Sequence, residues 1–203
     1  MIEITDLQKS FGSRILWQDL NYQFLPGTMT ALSGASGSGK STLLNCLGSL
    51  DKPTSGKILV DNEDLVKFSK RGQRLYRKNK VGYLFQDYAL IPDRSVTYNL
   101  KMAVEKQKWS LIPQVLADVG LEGFEEKPVF ELSGGEQQRT ALARVLLKNP
   151  PIVLADEPTG ALDLANSELV IDALRTLADD GATVVVATHS PLVQESADAL
   201  VEL

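Results

Sequence analysis

Apolar positions fall into three kinds of run along the chain, and each kind predicts a different element. The first thirty residues mix apolar and polar positions in short stretches between turns at Gly12-Ser13 and Pro26-Gly27, the pattern of half-buried strands. Met29 to Leu32 then runs as a strand straight into a glycine-rich turn, after which Leu43, Leu44 and Leu47 recur at helical spacing. Lys57 to Val60 predicts a further strand, set off by the turn Lys52-Pro53-Thr54-Ser55-Gly56. Val81 to Phe85, Ile152 to Ala155 and Ala182 to Ala187 are unbroken apolar runs, which suit parallel strands covered on both faces. Between the first two of these runs the period changes. Leu111, Ile112, Val115, Leu116 and Val119 form one helical stripe, and Ala141, Leu142, Val145 and Leu146 another. The pattern predicts an α/β core, residues 1–87 and 150–203, interrupted by a helical lobe over 88–149.

Length and composition narrow the function classes. The 203 residues fit one large domain, or one domain carrying a lobe, with no internal repeat or long linker. A formal net charge of −5 gives no support to a general nucleic-acid-binding role. Cys46, the one cysteine, excludes an internal disulfide and suits a reducing cytosol. No apolar run reaches the length of a membrane helix, and Met1-Ile2-Glu3-Ile4 lacks the basic-then-apolar start of a signal peptide. A role at a membrane therefore requires a partner that supplies the membrane.

Gly34-Ala35-Ser36-Gly37-Ser38-Gly39-Lys40-Ser41 matches G-x-x-x-x-G-K-[ST] at every fixed position, directly after a strand and before a helix. Glycines let the backbone turn tightly enough for successive N–H groups to point at phosphate oxygens. The positive end of the following helix adds its dipole. Lys40 supplies a full charge for the β- and γ-phosphates, and the Ser41 hydroxyl is a ligand for Mg²⁺. Ile152 to Ala155 ends in two acids, Asp156 and Glu157, at the carboxyl end of a strand, where ligands gather in parallel α/β sheets. Asp156 is a hard oxygen ligand for Mg²⁺. If the chain stays extended, Glu157 points the other way and can polarise a water for attack on the γ-phosphate.

A second glycine turn, Leu132-Ser133-Gly134-Gly135-Glu136-Gln137-Gln138-Arg139, opens another amphipathic helix. Ser133 and the Gly134 and Gly135 amides could grip a phosphate, but a plain N-cap by Ser133 fits as well, and Glu136 makes a capping box available. Local chemistry leaves both open.

With Leu132 to Glu136, Gly34 to Ser41 and Ile152 to Glu157 in this order, the chain resembles the ATP-binding cassette ATPases over essentially its whole length. The resemblance implies a P-loop core with an N-terminal antiparallel β subdomain and an inserted helical subdomain, and ATP hydrolysis with Mg²⁺. It also implies a head-to-tail dimer in which the cradle of one copy and the Ser133 loop of the other close on the same ATP. In register with it, Gln86 resembles the glutamine linking nucleotide to lobe and a further Mg²⁺ ligand. Ala161-Leu162-Asp163 resembles the loop crossing the dimer interface, His189 the switch histidine, and Phe11 the aromatic stacked on adenine. The nucleotide-contacting set it implies is Phe11, Gly34, Ser36 to Thr42, Ser133 to Glu136 and Asp163. The catalytic set is Lys40, Gln86, Glu157 and His189. Tyr88-Ala89-Leu90-Ile91-Pro92, apolar and bounded by proline, resembles the region that receives a helix of a separate membrane subunit, which would hold the chain at the inner face of the cell membrane.

Leu50-Asp51-Lys52-Pro53-Thr54, Asn149-Pro150-Pro151-Ile152 and Pro158 to Asp163 bring the resemblance closest to the lipoprotein-release and macrolide-export group, including small members tied to export of peptides, antibiotics or bacteriocins. The sequence ends on its last apparent strand, so no accessory C-terminal domain is expected. Two other readings stay open: a regulatory clamp on a membrane cell-division partner, and a non-transport cassette ATPase. The basic cluster Lys67, Lys70, Arg71, Arg74, Arg77, Lys78 and Lys80 reads as the coat of an exposed helix. Trp17, Trp109 and Cys46 read as packing residues.

Overall fold

Ile2, Ile4 and Leu7 point inward from the first strand, β1 (Ile2–Phe11), which turns at Gly12-Ser13 and pairs antiparallel with β2 (Arg14–Phe24). In the computed structural model, which describes residues 1–160 and 162–203, these are two long strands rather than several short ones. What made them look short is a bulge. Asp6 takes φ 47°, the register shifts between Ile4 and Leu7, and the inward row passes from even to odd positions.

After β2 come β3 (Thr28–Ser33), α1 (Lys40–Leu47), β4 (Ser55–Val60), β5 (Glu63–Asp64), α2 (Lys70–Lys80) and β6 (Val81–Leu84). Then follow α3 (Val96–Lys101), α4 (Ile112–Asp118), α5 (Gly134–Lys148), β7 (Ile152–Asp156), α6 (Leu164–Asp179), β8 (Thr183–Ala187), α7 (Pro191–Glu195) and β9 (Ala199–Glu202). The strands make two sheets. One is antiparallel, in the order β2-β1-β4-β5; the other is parallel, in the order β6-β7-β8-β3-β9.

Every residue of β7 and β8 is buried, as their unbroken apolar runs require. Their side chains alternate between two cores. Val153, Ala155, Val184 and Val186 pack with Leu142 of α5 and Val170 and Leu174 of α6. Ile152, Leu154, Val185 and Ala187 pack with Leu43, Leu44 and Leu47 of α1 and with Ile2 and Phe24 of the antiparallel sheet. Helix α1 therefore lies between the sheets, with its N-terminus at the carboxyl ends of β3, β7 and β8.

Between β6 and β7 the structure has helices and turns, with one isolated antiparallel bridge between Ser95 and Pro128. The stripe expected through Leu111 to Val119 is broken by a 3₁₀ segment over Lys106–Leu111, and α4 starts afterwards with proline in its first turn. Helix α5 is better built. A capping box opens it, Asn149 closes it at φ 48°, and Lys108 Nζ donates to its last carbonyls, Leu147 O (3.1 Å) and Lys148 O (2.7 Å). The basic cluster coats α2 as expected; of that helix only Tyr76 is buried, its hydroxyl donating to Leu47 O at 2.9 Å. Cys46 packs between the sheets, where burial pushes its thiol up to about 12.

Gly56 in β4 lies against the Asp6 bulge at φ 88°, where an added Cβ would strike the Asp6 carbonyl and come within 2.6 Å of Leu7 Cα. Strain in that backbone region and overpacking each cost about 1–3 kcal/mol. Gly56→Ala is expected to lower unfolding free energy by at least about 2 kcal/mol, read from the urea midpoint at unchanged m-value. A midpoint equal to wild type would mean the bulge does not hold that strand.

Candidate functional site

The glycine-rich turn leaves β3 and enters α1, and its glycines are there for close approach. Gly34 takes φ 138°, and a side chain there would meet the Leu203 carbonyl and Ser38 Oγ. Gly39 takes φ 104° at the N-cap of α1, and a Cβ would come within 2.7 Å of Trp17 Nε1. Trp17 thus buttresses the turn from β2, with its indole N–H 3.5 Å from Gly39 O, a task beyond the packing role its sequence predicted. Among the described residues, Ser38 Oγ is buried without a hydrogen-bond partner.

Lys40 is buried, its ammonium donating to Gly34 O (2.9 Å) and Ala35 O (3.2 Å) and lying 3.0 Å from His189 Nε2. Ser41 Oγ donates to Asp156 Oδ1 at 2.9 Å, so the hydroxyl and the carboxylate converge from α1 and β7. Burial raises the Asp156 pKa, opposed by the Ser41 hydrogen bond and the nearby Lys40 charge. One hydroxyl beside one carboxylate, next to a phosphate cradle, is the kind of hard-oxygen pair that Mg²⁺ takes together with substrate phosphates.

Glu157 does not continue the strand. Its N–H still donates to Ala187 O of β8 (2.9 Å), but its φ is 47°, so the extended alternation expected after Asp156 does not apply. The left-handed turn brings the carboxylate to His189, whose backbone N–H donates to Glu157 Oε2 at 3.3 Å and whose Nε2 lies 3.7 Å from Oε1. The loop carrying His189 is fixed by Thr188 N–H donating to Leu32 O (3.1 Å) and Ser190 N–H donating to Thr188 Oγ1 (2.9 Å).

A cleft of about 810 Å³ gathers most of the expected residues. Phe11, 56% exposed at the end of β1, lines it together with Ser36, Gly37 and Gly39 to Thr42 of the turn and with Gln86, Glu157 and His189. Arg14, Leu16 and Gln138 also line it and were not anticipated. Arg14 reaches across from β2 to donate to Gly37 O at 2.9 Å, which no local motif signals. Gln138 lies inside the quoted Ser133 motif, one turn beyond the glycines, and helical spacing could have drawn attention to it.

Ser133, Gly134, Gly135, Glu136 and Asp163 do not line this cleft. Ser133 and Glu136 form the capping box: Ser133 N–H and Oγ donate to Glu136 Oε2, both at 2.7 Å, and Glu136 N–H donates to Ser133 Oγ at 3.3 Å. Those Ser133 hydrogen bonds hold the Glu136 carboxyl below its ordinary range. The Gly134 and Gly135 amides belong to the first turn, where no intrahelical acceptor exists. An added side chain at Gly134 would meet the Tyr88 hydroxyl at 3.3 Å, and at Gly135 the Leu162 side chain at 3.2 Å. Asp163 caps α6, accepting from Asn166 N–H at 2.9 Å. Ala161, expected in the same loop, lies outside the described residues.

Tyr88 and Ala89 both take left-handed φ values, 65° and 46°. Arg144 of α5 holds them by donating to Tyr88 O (2.9 Å) and Ala89 O (2.6 Å), and Asn99 brackets Ile91 through both its backbone groups. Beside this loop runs a groove of about 290 Å³ lined by Leu50, Arg77, Phe85, Ala89, Ala103 and Lys148.

The ABC transporter family model matches residues 17–160. The macrolide export ATP-binding/permease protein MacB of Salmonella typhimurium is 36% identical over 213 residues, covering 100% of this chain and 33% of that protein. The chain thus spans about a third of the length of these macrolide-export relatives. An uncharacterised ABC transporter ATP-binding protein of Mycobacterium tuberculosis is also 36% identical, over 214 residues, covering 100% of this chain and 86% of its own length. Among solved structures, the dimeric bacterial ABC transporter cassette MJ0796 superposes with a TM-score of 0.92 at 35% identity, covering 100% of this chain and 94% of that one. A post-hydrolysis dimer of the same cassette bound to ADP and Pi gives 0.91 at 34% identity. With the family model matching residues 17–160 and relatives at 36% identity covered over the whole chain, the chain belongs to the ABC transporter family.

Proposed function

We propose that the chain binds and hydrolyses ATP, two copies closing head to tail around two nucleotides, and drives a separate membrane permease. The observation that carries this is one cleft lined by the glycine-rich turn, by Ser41, whose hydroxyl donates to Asp156 behind it, and by Glu157 beside His189. Lys40 and the turn amides would hold the β- and γ-phosphates, and Ser41, Asp156 and Gln86 would hold Mg²⁺, which supplies charge neutralisation on the phosphates when bound. Glu157 would accept a proton from the attacking water, and His189 would orient the γ-phosphate end of the site.

In this reading residues 1–87 and 150–203 act as the core, and residues 88–149 as the lobe that presents Ser133, Gly134, Gly135 and Glu136, with Asp163, to the partner copy's nucleotide. First-turn amides on α5 support this, since the capping box uses other donors and, among the described residues, the Gly134 and Gly135 N–H groups have no acceptor. The dimeric form of MJ0796 supports the assembly. The strained Tyr88-Ala89 loop and the groove beside it support docking of a permease segment there, since such strain persists where surrounding contacts over-determine it. No described helix is long and apolar enough to cross a membrane. In this reading the permease supplies the membrane-spanning part and this chain works at its cytoplasmic face. The MacB relatives support export or release of an antibiotic, peptide or lipoprotein as the work done.

Ser133→Arg tests the shared site. Arginine at that cap fills the approach to the partner's γ-phosphate but leaves the chain's own cradle untouched. The variant is expected to bind ATP with wild-type affinity as a monomer and to show no ATP-dependent dimer by light scattering. Normal dimers from it would refute the head-to-tail arrangement.

A further inference from the structure

Leu50 lines the groove beside the Tyr88-Ala89 loop, but Asp51, Lys52, Pro53 and Thr54 have no task in the mechanism above, and they are stitched to the end of β1. Lys9 Nζ donates to Asp51 Oδ2 and to Lys52 O, both at 2.7 Å. Ser10 N–H donates to Thr54 Oγ1 at 3.0 Å, and Thr54 N–H donates to Gln8 O at 2.8 Å. Lys9 itself is only 6% exposed, at the end of the inward row Ile2, Ile4 and Leu7. A buried ammonium is costly unless its protons find acceptors. Two acceptors come from the Asp51-Lys52 segment. The remaining neighbour is an aromatic face: Lys9 Nζ lies 4.8 Å from the centroid of the Phe11 ring.

Lys9 and Phe11 lie two residues apart at the end of β1, where the pairing register with β2 shifts between Lys9 and Ser10, and the ammonium sits over the ring. The cation covers one side of the ring, while the ring is more than half exposed and walls the nucleotide cleft. Asp51 is ionised for this purpose: burial works to raise its pKa, but hydrogen bonds from Lys9 and from the Lys52 N–H outweigh that and hold it low.

We propose that Lys9, anchored by Asp51 and Lys52, is a positioning and specificity residue for the nucleotide base, pinning the Phe11 ring and drawing its π density to the covered face so that the open face takes an electron-rich purine. This rests on the reading of the cleft as an ATP site. It gives the Asp51 to Thr54 segment a function: holding the base platform from behind, at a distance from the phosphates.

The test separates base from phosphate. Lys9→Met keeps the stem and removes the charge. It is expected to weaken ATP binding about 2- to 5-fold, the range of an exposed-to-partly-buried cation–π contact, and to leave binding of inorganic tripolyphosphate unchanged. In a Phe11→Ala background, Lys9→Met should add no further loss for ATP. Equal loss for ATP and tripolyphosphate, or a loss additive to Phe11→Ala, would overturn the proposal and leave Lys9 a staple of the fold. Should Lys9→Met not fold, Asp51→Asn serves the same comparison, with an ATP-selective loss expected and an equal loss overturning it. Wild-type protein that binds neither ligand would instead remove the ATP reading, and this inference with it.

Discussion

Glu157→Gln is expected to retain ATP affinity while its turnover number falls about 10²- to 10⁴-fold, the range for loss of a general base. Glutamine keeps the length and an acceptor oxygen for the His189 N–H, so the geometry that now holds Oε2 3.3 Å from that nitrogen survives. What is lost is the ability to take a proton. With the carboxylate gone and the cradle intact, ATP should bind, the two copies should close, and the closed dimer should persist, visible as a stable ATP-dependent species in size-exclusion chromatography. Steady-state rates with KM near wild type and a collapsed kcat would place the defect in the chemical step. Hydrolysis at the wild-type rate would show that Glu157 is not the base.

The expectation behind that variant was legible in the sequence, but its geometry was not. Two acids after an apolar run mark a strand end near a ligand, because parallel sheets gather ligands there. Period-two alternation then sends Asp156 and Glu157 to opposite faces, which holds only for extended backbone. The structure separates them differently, by a left-handed residue whose N–H remains tied to β8. The glycine cradle was readable because its chemistry needs particular residue types at contiguous positions. Arg14 was not, since it arrives from β2 through tertiary contact, and Trp17 looked like any core aromatic until the structure set it under Gly39. At Ser133 the local sequence supported a cap and an anion site equally. The capping box is there, but it occupies different donors from the two glycine amides, so the two readings are compatible. Among the strands, β1 was misjudged in length because the Asp6 bulge changes which parity faces inward.

Lys40→Ala is expected to weaken ATP binding by about 10- to 100-fold, since hydrogen bonds to a charged group contribute roughly 1.5–3 kcal/mol each in a largely buried setting. Lys40 is 6% exposed, and its ammonium donates to the Gly34 and Ala35 carbonyls and lies against the His189 ring, with the Asp156 carboxylate near enough to feel its charge. A triphosphate would add acceptors that carry full negative charge. Deleting the side chain also removes the buried stem from the turn, so lost packing contributes to any loosening of the turn. Lys40→Met distinguishes the two contributions by restoring the apolar stem without the charge. Comparable weakening in both variants, with melting temperatures close to wild type, would assign the loss to the missing charge. Recovery of affinity in Lys40→Met would assign it to packing of the turn, and unchanged affinity in Lys40→Ala would remove the cradle from Gly34 to Ser41 as the phosphate site.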